Sequence, residues 1–314
     1  MITVTHLVDD TGMGGVTRLL NHLADGSDAE VIHVLRPVPR GRLPLRIKGD
    51  VIVSHLSISW RTLPALVALR ATIRRPLIHV EHSYTEAFAA LHVAAPRRFR
   101  ALLATGFALF DRVLCVSPAQ RDWLARLAPS ARLGLLRPSV DVTPFLALPA
   151  PTDTRVIGAI GRLHTQKGLE VLIDAIRGCT LDLRLEIIGD GPDRAALIAR
   201  AASDPRIVFP GAMDPVAAMA RLDVVAMPSR WEAYGLVGLE ARAAGRPLLV
   251  APIDGLADQV TRGAVAVPGA TTADWRAAMA TVQPSDPTIR AQARSEAAAF
   301  HPAWAALVKS LLRA

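Results

Sequence analysis

The stretch Trp231-Glu-Ala-Tyr-Gly-Leu-Val-Gly-Leu-Glu240 decides the fold, because it opens a helix out of a glycine-containing turn that directly follows an apolar strand. Upstream, Leu222 to Met227 reads as a buried strand ended by Pro228 and Ser229. Downstream, Leu236 to Ala244 has helical composition and stops at Gly245. Glu232 therefore falls in the turn and Glu240 in the helix. The first backbone N–H groups of that helix, near Tyr234, Gly235, Leu236 and Val237, lack internal partners and carry the positive end of the helix dipole, so they suit a phosphate. Carboxylates on either side are then placed to bind hydroxyls.

The same strand-then-helix rhythm extends in both directions. Short apolar runs such as Ile2 to Val8, Val31 to Leu35, Val51 to His55, Leu77 to Glu81 and Arg112 to Val116 alternate with helix-like segments. Periodicity is lost between Pro138 and Pro151, where four prolines mark a linker, and a second series runs from Val156 to Val267 before a helical tail from Thr288 to Leu312. An α/β protein is expected, with two Rossmann-like parallel sheets covered on both faces and a cleft between the domains. The boundaries expected are 1–149, 150–298 and a terminal helix over 299–314. Open parallel sheets bind ligands beyond the C-terminal ends of their strands, so the turns after strands carry the information.

With 314 residues, 51% of them hydrophobic, the chain can fill two cores. A formal charge of +8 favours an anionic partner. Spread-out arginines and 4% aromatic residues give no stacking platform, so nucleic acid is not an expected partner. Cys115 and Cys179 lie far apart without a Cys or His cluster, which supports neither a disulfide framework nor a zinc site. The first residues read as a strand and not as a secretory leader, and no apolar run is long enough to span a bilayer, so a cytoplasmic location is expected. Gly158-Ala-Ile-Gly161 lacks the third glycine of a dinucleotide fingerprint, and Lys167-Gly168 reverses the P-loop order.

After the strand Val156 to Ile160 comes Gly161-Arg-Leu-His-Thr-Gln-Lys167-Gly168, in which Arg162 and Lys167 flank a strand-to-helix turn and can both face a diphosphate. These segments, with Ile188-Gly-Asp-Gly-Pro192, Val208-Phe-Pro-Gly211 and Pro228-Ser…Glu232…Glu240…Gly245-Arg-Pro247, resemble in order the nucleotide-sugar half of the retaining glycosyltransferases of family 4 (group 1), over residues 156 to about 260. The resemblance implies the GT-B fold, with a final helix crossing back to the first domain. It implies a UDP- or GDP-hexose donor and a glycan, lipid-linked or small-molecule acceptor hydroxyl, in cell-envelope polysaccharide or glycolipid synthesis. Glu240 matches the second family glutamate, which accepts from ribose hydroxyls, and Glu232 the first, which orients the transferred sugar. Arg162 and Lys167 match the basic pair that takes the charge of the departing diphosphate in place of a metal ion. Gly211, Ala212 and Met213 would pass close to the base.

In the first half, Gly12-Met-Gly14-Gly15-Val-Thr-Arg18 resembles the family's glycine-rich loop, which implies backbone contact with donor phosphate or acceptor through Gly14 and Gly15. His82 matches the family histidine at a strand end, expected to contact the transferred sugar or acceptor. Two landmarks depart from the family: Ser139-Val140 replaces an asparagine-glycine pair, and Asp254-Gly255-Leu-Ala-Asp258 replaces a glycine-glycine-x-x-glutamate segment. Arg70, Arg74, Arg75, Arg97, Arg98 and Arg100 suggest a peripheral contact with the anionic inner face of the plasma membrane. Two other readings stay open on the sequence: a nucleotide-sugar epimerase of the same fold, and a catalytically silent sugar-nucleotide-binding protein.

Overall fold

A computed structural model describes all residues except Asp10, Thr11, Met13, 27–29, 40–46 and Ala314. Met13 of the glycine-rich loop thus lies outside the described residues. The chain divides into two compact units, one of Met1–Val140 with Ala298–Ala314 and one of Asp141–Ala297.

In the first unit the order is β1 (Ile2–Val8), α1 (Gly15–Asp25), β2 (Val31–Pro37), β3 (Val51–Ser54), α2 (Leu63–Thr72), β4 (Leu77–Glu81), α3 (Glu86–His92), α4 (Pro96–Phe107), β5 (Arg112–Cys115), α5 (Pro118–Leu127) and β6 (Leu133–Leu135). The sheet runs β2-β1-β3-β4-β5-β6, and its ladders are parallel. β3 and β4 are buried at every position, as strands covered on both faces must be. β2 mixes buried and exposed positions and ends in Pro37, which suits an edge.

The second unit holds α6 (Thr143–Leu146), β7 (Val156–Ile160), α7 (Glu170–Arg177), β8 (Arg184–Ile188), α8 (Arg194–Ala201), β9 (Ile207–Gly211), α9 (Pro215–Ala220), β10 (Val224–Met227), α10 (Leu236–Ala243), β11 (Leu248–Val250), α11 (Leu256–Val260), β12 (Val265–Ala266) and α12 (Thr272–Thr281). A last helix, α13 (Pro287–Leu312), begins in this unit and continues into the first. The second sheet is also parallel, in the order β12-β11-β10-β7-β8-β9. Its core gathers Ile157, Leu172, Leu185 and Trp275 on one side and Val225, Leu239, Leu248 and Ala293 on the other.

The direction in which successive strands are added to the sheet reverses between β7 and β10 in the second sheet and between β1 and β3 in the first. At such a switch point the connections leave to opposite sides, and the strand ends open onto a crevice. The turns after β7 and β10 are the two that carry Lys167 and Glu232.

Candidate active site

Three turns of the second unit pack at the C-terminal ends of β7, β8 and β9, and glycines let them approach. Gly161 and Gly189 both have φ near +143°, and a Cβ on Gly189 would stand 1.9 Å from the Gly161 carbonyl oxygen. The Gly161 N–H donates to Ile188 at 3.0 Å, and the Gly189 N–H donates to Gly211 at 3.0 Å. Gly211 has φ +89° with open space where a Cβ would be, so Gly211, Ala212 and Met213 sit beside the β8 turn, with Ala212 exposed. The β8 turn thus lies between the segment expected near the base and the β7 turn expected near the diphosphate.

After Gly161 the chain makes one turn of 3₁₀ helix, Thr165–Lys167, ended by Gly168 in the left-handed region at φ +60°. A Cβ on Gly168 would lie 2.3 Å from the Pro228 carbonyl oxygen, so this glycine lets the β7 turn close on the β10 turn. Two backbone-directed bonds fasten the pair: Arg230 N–H donates to the Gln166 carbonyl at 2.7 Å, and Gln166 Nε2 donates to the Trp231 carbonyl at 3.0 Å. Held this way, Lys167 Nζ forms an ion pair with the Glu232 carboxylate, and the Ser229 hydroxyl lies 3.4 Å from the same oxygen. The two side chains keep 21% and 13% of their exposure, so the pair is accessible but largely withdrawn from water. Arg162 is exposed and makes no ion pair among the described residues. A pocket lined by Gly161, Arg162, Lys167, Met227, Pro228 and Ser229 opens here.

The turn after β10 is braced from behind. Glu232 N–H donates to Asp254 at 3.3 Å, and Gly255 N–H donates to the Glu232 carbonyl at 2.9 Å. A Cβ on Gly255 would come 2.1 Å from the Ala233 oxygen. Asp254-Gly255, read in the sequence as a family departure, thus supports the turn that carries Glu232. Gly235 caps α10 in the left-handed region at φ +83°, and Tyr234 is buried, its hydroxyl pushed up to about 12 by loss of solvent. Leu236 and Val237 form the half-buried first turn of α10, and Glu240 is fully buried one turn on. Gln166, Ser229 and Asp254 were not among the sequence candidates. For Gln166 and Asp254 the signal is tertiary, since each acts on a turn distant in the sequence, while Ser229 lies three residues before Glu232 in the same turn.

The candidates of the first unit fall into two places. Gly14 and Gly15 are exposed at the start of α1, with Gly14 as an extended N-cap. His82 follows β4, and its Nε2 lies 2.8 Å from His55 Nδ1. Burial lowers the His82 pKa to about 4, with the Glu81 charge opposing and His79 assisting. Of the six arginines expected at a membrane, Arg70 pairs with Asp111 at 2.9 Å, Arg75 bonds the Gly49 carbonyl and Arg100 bonds Leu127 at 3.2 Å, while Arg74, Arg97 and Arg98 are exposed. Among the described residues no helix is long and apolar enough to cross a membrane, and no group of three or more His, Cys, Asp or Glu could hold a metal ion.

Comparison with known proteins bears on the family and the fold. The family model for glycosyl transferases group 1 matches residues 154–283, and that for glycosyltransferase family 4 matches residues 26–143. The chain is 30% identical over 237 residues to a D-inositol 3-phosphate glycosyltransferase of Mycolicibacterium vanbaalenii, covering 64% of this chain and 52% of the relative. To the protein of the same name from Corynebacterium diphtheriae it is 33% identical over 217 residues, 62% of this chain and 50% of that one. The chain therefore spans about half the length of the curated relatives it matches. Among solved structures, HepE of Anabaena in complex with UDP and glucose superposes with a TM-score of 0.77 at 18% identity, covering 99% of this chain and 100% of that one. Sucrose-phosphate synthase of Thermosynechococcus elongatus gives 0.80 at 17% identity, with 100% of both chains covered. The architecture is GT-B, and with two family matches that follow one another along it, the chain belongs to the group 1 glycosyltransferases of family 4.

Proposed function

We propose that this protein transfers a hexose from a nucleotide diphosphate sugar to an acceptor hydroxyl with retention at the anomeric carbon. The observation that carries the reading is the Lys167–Glu232 pair at the β7/β10 switch point, with exposed Arg162 on the same pocket. A cation held beside a carboxylate is ready to exchange partners. When a diphosphate enters, Lys167 turns to its oxygens and Glu232 is released to the hydroxyls of the transferred sugar. The bond between the anomeric carbon and the β-phosphate oxygen breaks, the acceptor oxygen bonds to that carbon on the same face, and its proton passes to the leaving phosphate. Arg162 and Lys167 hold the charge that grows there, without a metal ion. Glu240 serves the ribose, and the Gly211–Met213 segment lies along the base. In the first unit, Gly14, Gly15 and His82 serve the transferred sugar or the acceptor.

The relatives named for inositol 3-phosphate support a small phosphorylated polyol beside glycan and lipid-linked hydroxyls as the acceptor, and the UDP complex of HepE supports a uridine donor over a guanosine one. Exposed Arg74, Arg97 and Arg98 support a peripheral contact with an anionic membrane surface on the cytoplasmic side. The test is a thermal-shift panel of UDP, GDP and their hexoses in EDTA, because a ligand that binds the folded state raises its melting temperature. A shift with one nucleotide family and transfer that survives EDTA are expected. No shift with any of them, or strict dependence on Mg²⁺, would sink the proposal.

A further inference from the structure

Four histidines of the first unit stand in one hydrogen-bonded row. His33 Nδ1 lies 2.9 Å from His6 Nε2, His6 Nδ1 lies 2.9 Å from His55 Nε2, and His55 Nδ1 lies 2.8 Å from His82 Nε2. They come from four strands adjacent in the sheet, His33 on β2, His6 on β1, His55 just past β3 and His82 just past β4. Neighbouring rings have centroids 5.1 to 5.2 Å apart. His6 is fully buried and His55 is 8% exposed, and Trp304 of α13 stacks on His6 with centroids 5.8 Å apart. Among the described residues, His79 and Glu81 of β4 act on the His55 and His82 end of the row. Glu81 is already engaged, accepting from the Ser83 and Tyr84 N–H groups at 2.8 and 3.0 Å and facing His79 Nε2 at 3.4 Å.

A neutral imidazole has one donor and one acceptor nitrogen, and each link needs one of each. Three links in series therefore admit two arrangements of neutral rings. In one, every ring carries its proton on Nδ1 and His82 presents an N–H at that atom. In the other, every ring carries it on Nε2 and His82 presents a lone pair at Nδ1. A second proton on His6 or His55 would set donor against donor and break a link in a buried place. Burial holds these rings neutral, lowering His6 to about 3 with help from His33, and His55 well below the ordinary range with help from His82, His6 and His79. Chains of such bonds also polarise one another, which strengthens the coupling.

We propose that His6 and His55 are positioning residues for His82: the row fixes the orientation and tautomer of the His82 ring, so that Nδ1 is the nitrogen offered to the substrate and its character is set from the far side of the sheet. This rests on the reading that His82 meets the transferred sugar or the acceptor. The experiment is a long-range ¹H–¹⁵N correlation spectrum of the histidine-labelled full chain at pH 7. His6, His55 and His82 neutral and in the same tautomer is expected, with His55→Phe releasing His82 into a mixture of both. Differing tautomers among these three in the wild-type protein, a charged ring among them, or an unchanged His82 signal in His55→Phe would overturn the inference. Should His55→Phe fail to fold, the wild-type spectrum still decides. In turnover, His55→Phe is expected to lower kcat on the order of 10-fold with donor KM unchanged, as loss of a partner behind a working histidine does. Adding it to His82→Phe should cost nothing further, and a wild-type kcat in His55→Phe would count against the row. If His82→Phe alone turns over normally, the assignment of His82 to substrate fails, whereas mixed tautomers in an active wild-type protein defeat the row and leave that assignment standing.

Discussion

The two units place polar groups at the same topological position and treat charge in opposite ways. At the β7/β10 switch point of the second unit, Lys167 and Glu232 form a partly exposed ion pair and Arg162 is exposed. Beside the β1/β3 switch point of the first, His6 and His55 are buried and neutral, and each of their ring nitrogens is engaged by another histidine. The difference follows from desolvation. A charge stays where solvent or a counter-charge compensates it, and a group that can become neutral does so where neither is present. Under the proposed function, the charged side meets the part of the donor that brings charge, and the neutral side the part that brings hydroxyls.

The largest effect should come from the charged side. Lys167→Ala is expected to raise the activation free energy for kcat by about 2 to 4 kcal/mol through lost transition-state stabilisation. Wild-type turnover in this variant would break the contrast. Next, Gly189→Ala should lower unfolding free energy by about 2 to 3 kcal/mol in urea titrations, since it combines a positive φ with a backbone clash. Gly211→Ala meets open space and should cost about 1 kcal/mol, the conformational part alone. Equal losses in the two would show that the turns are not held together by close approach.

The neutral side has a pH signature. His6 and His82 have folded pKa values near 3 and 4, below 6.5, so the unfolded chain binds more protons than the folded one in that interval. Unfolding free energy should therefore be full above about pH 6.5 and fall as the pH drops towards 4. His6→Phe should flatten that slope, and an unchanged slope would remove the row from the explanation.

Much of the second unit is legible in the residues themselves. Leu222 to Met227, Pro228, the glycines and Gly245 announce strand, stop, turn and helix end, and the structure follows with β10, α10 and a left-handed Gly245 at φ +70°. Other elements leave less trace. α3 is seven residues long with five consecutive apolar residues and none buried, so its sequence has no polar face to set a period, and β6 is only three residues long. The side-chain partners are harder still. Lys167 and Glu232 are 65 residues apart, and the ordered landmarks bring them to one site without saying that they pair. His82 stood out in the sequence as a lone residue, while His6, His33 and His55 carried no pattern, because their spacing follows the order of strands in the sheet and not the order of the chain.

By itself, the sequence determined what short-range physics controls: alternation of strand and helix, turn positions where glycine allows backbone that other residues resist, and residue types able to face a diphosphate. The tertiary structure decided what depends on which strands are neighbours, namely the Lys167–Glu232 pair, the bracing by Asp254 and Gly255, and the histidine row. Burial and hydrogen-bond partnership are properties of the packed sheet, and they bring four histidines of separate strands into one hydrogen-bonded row.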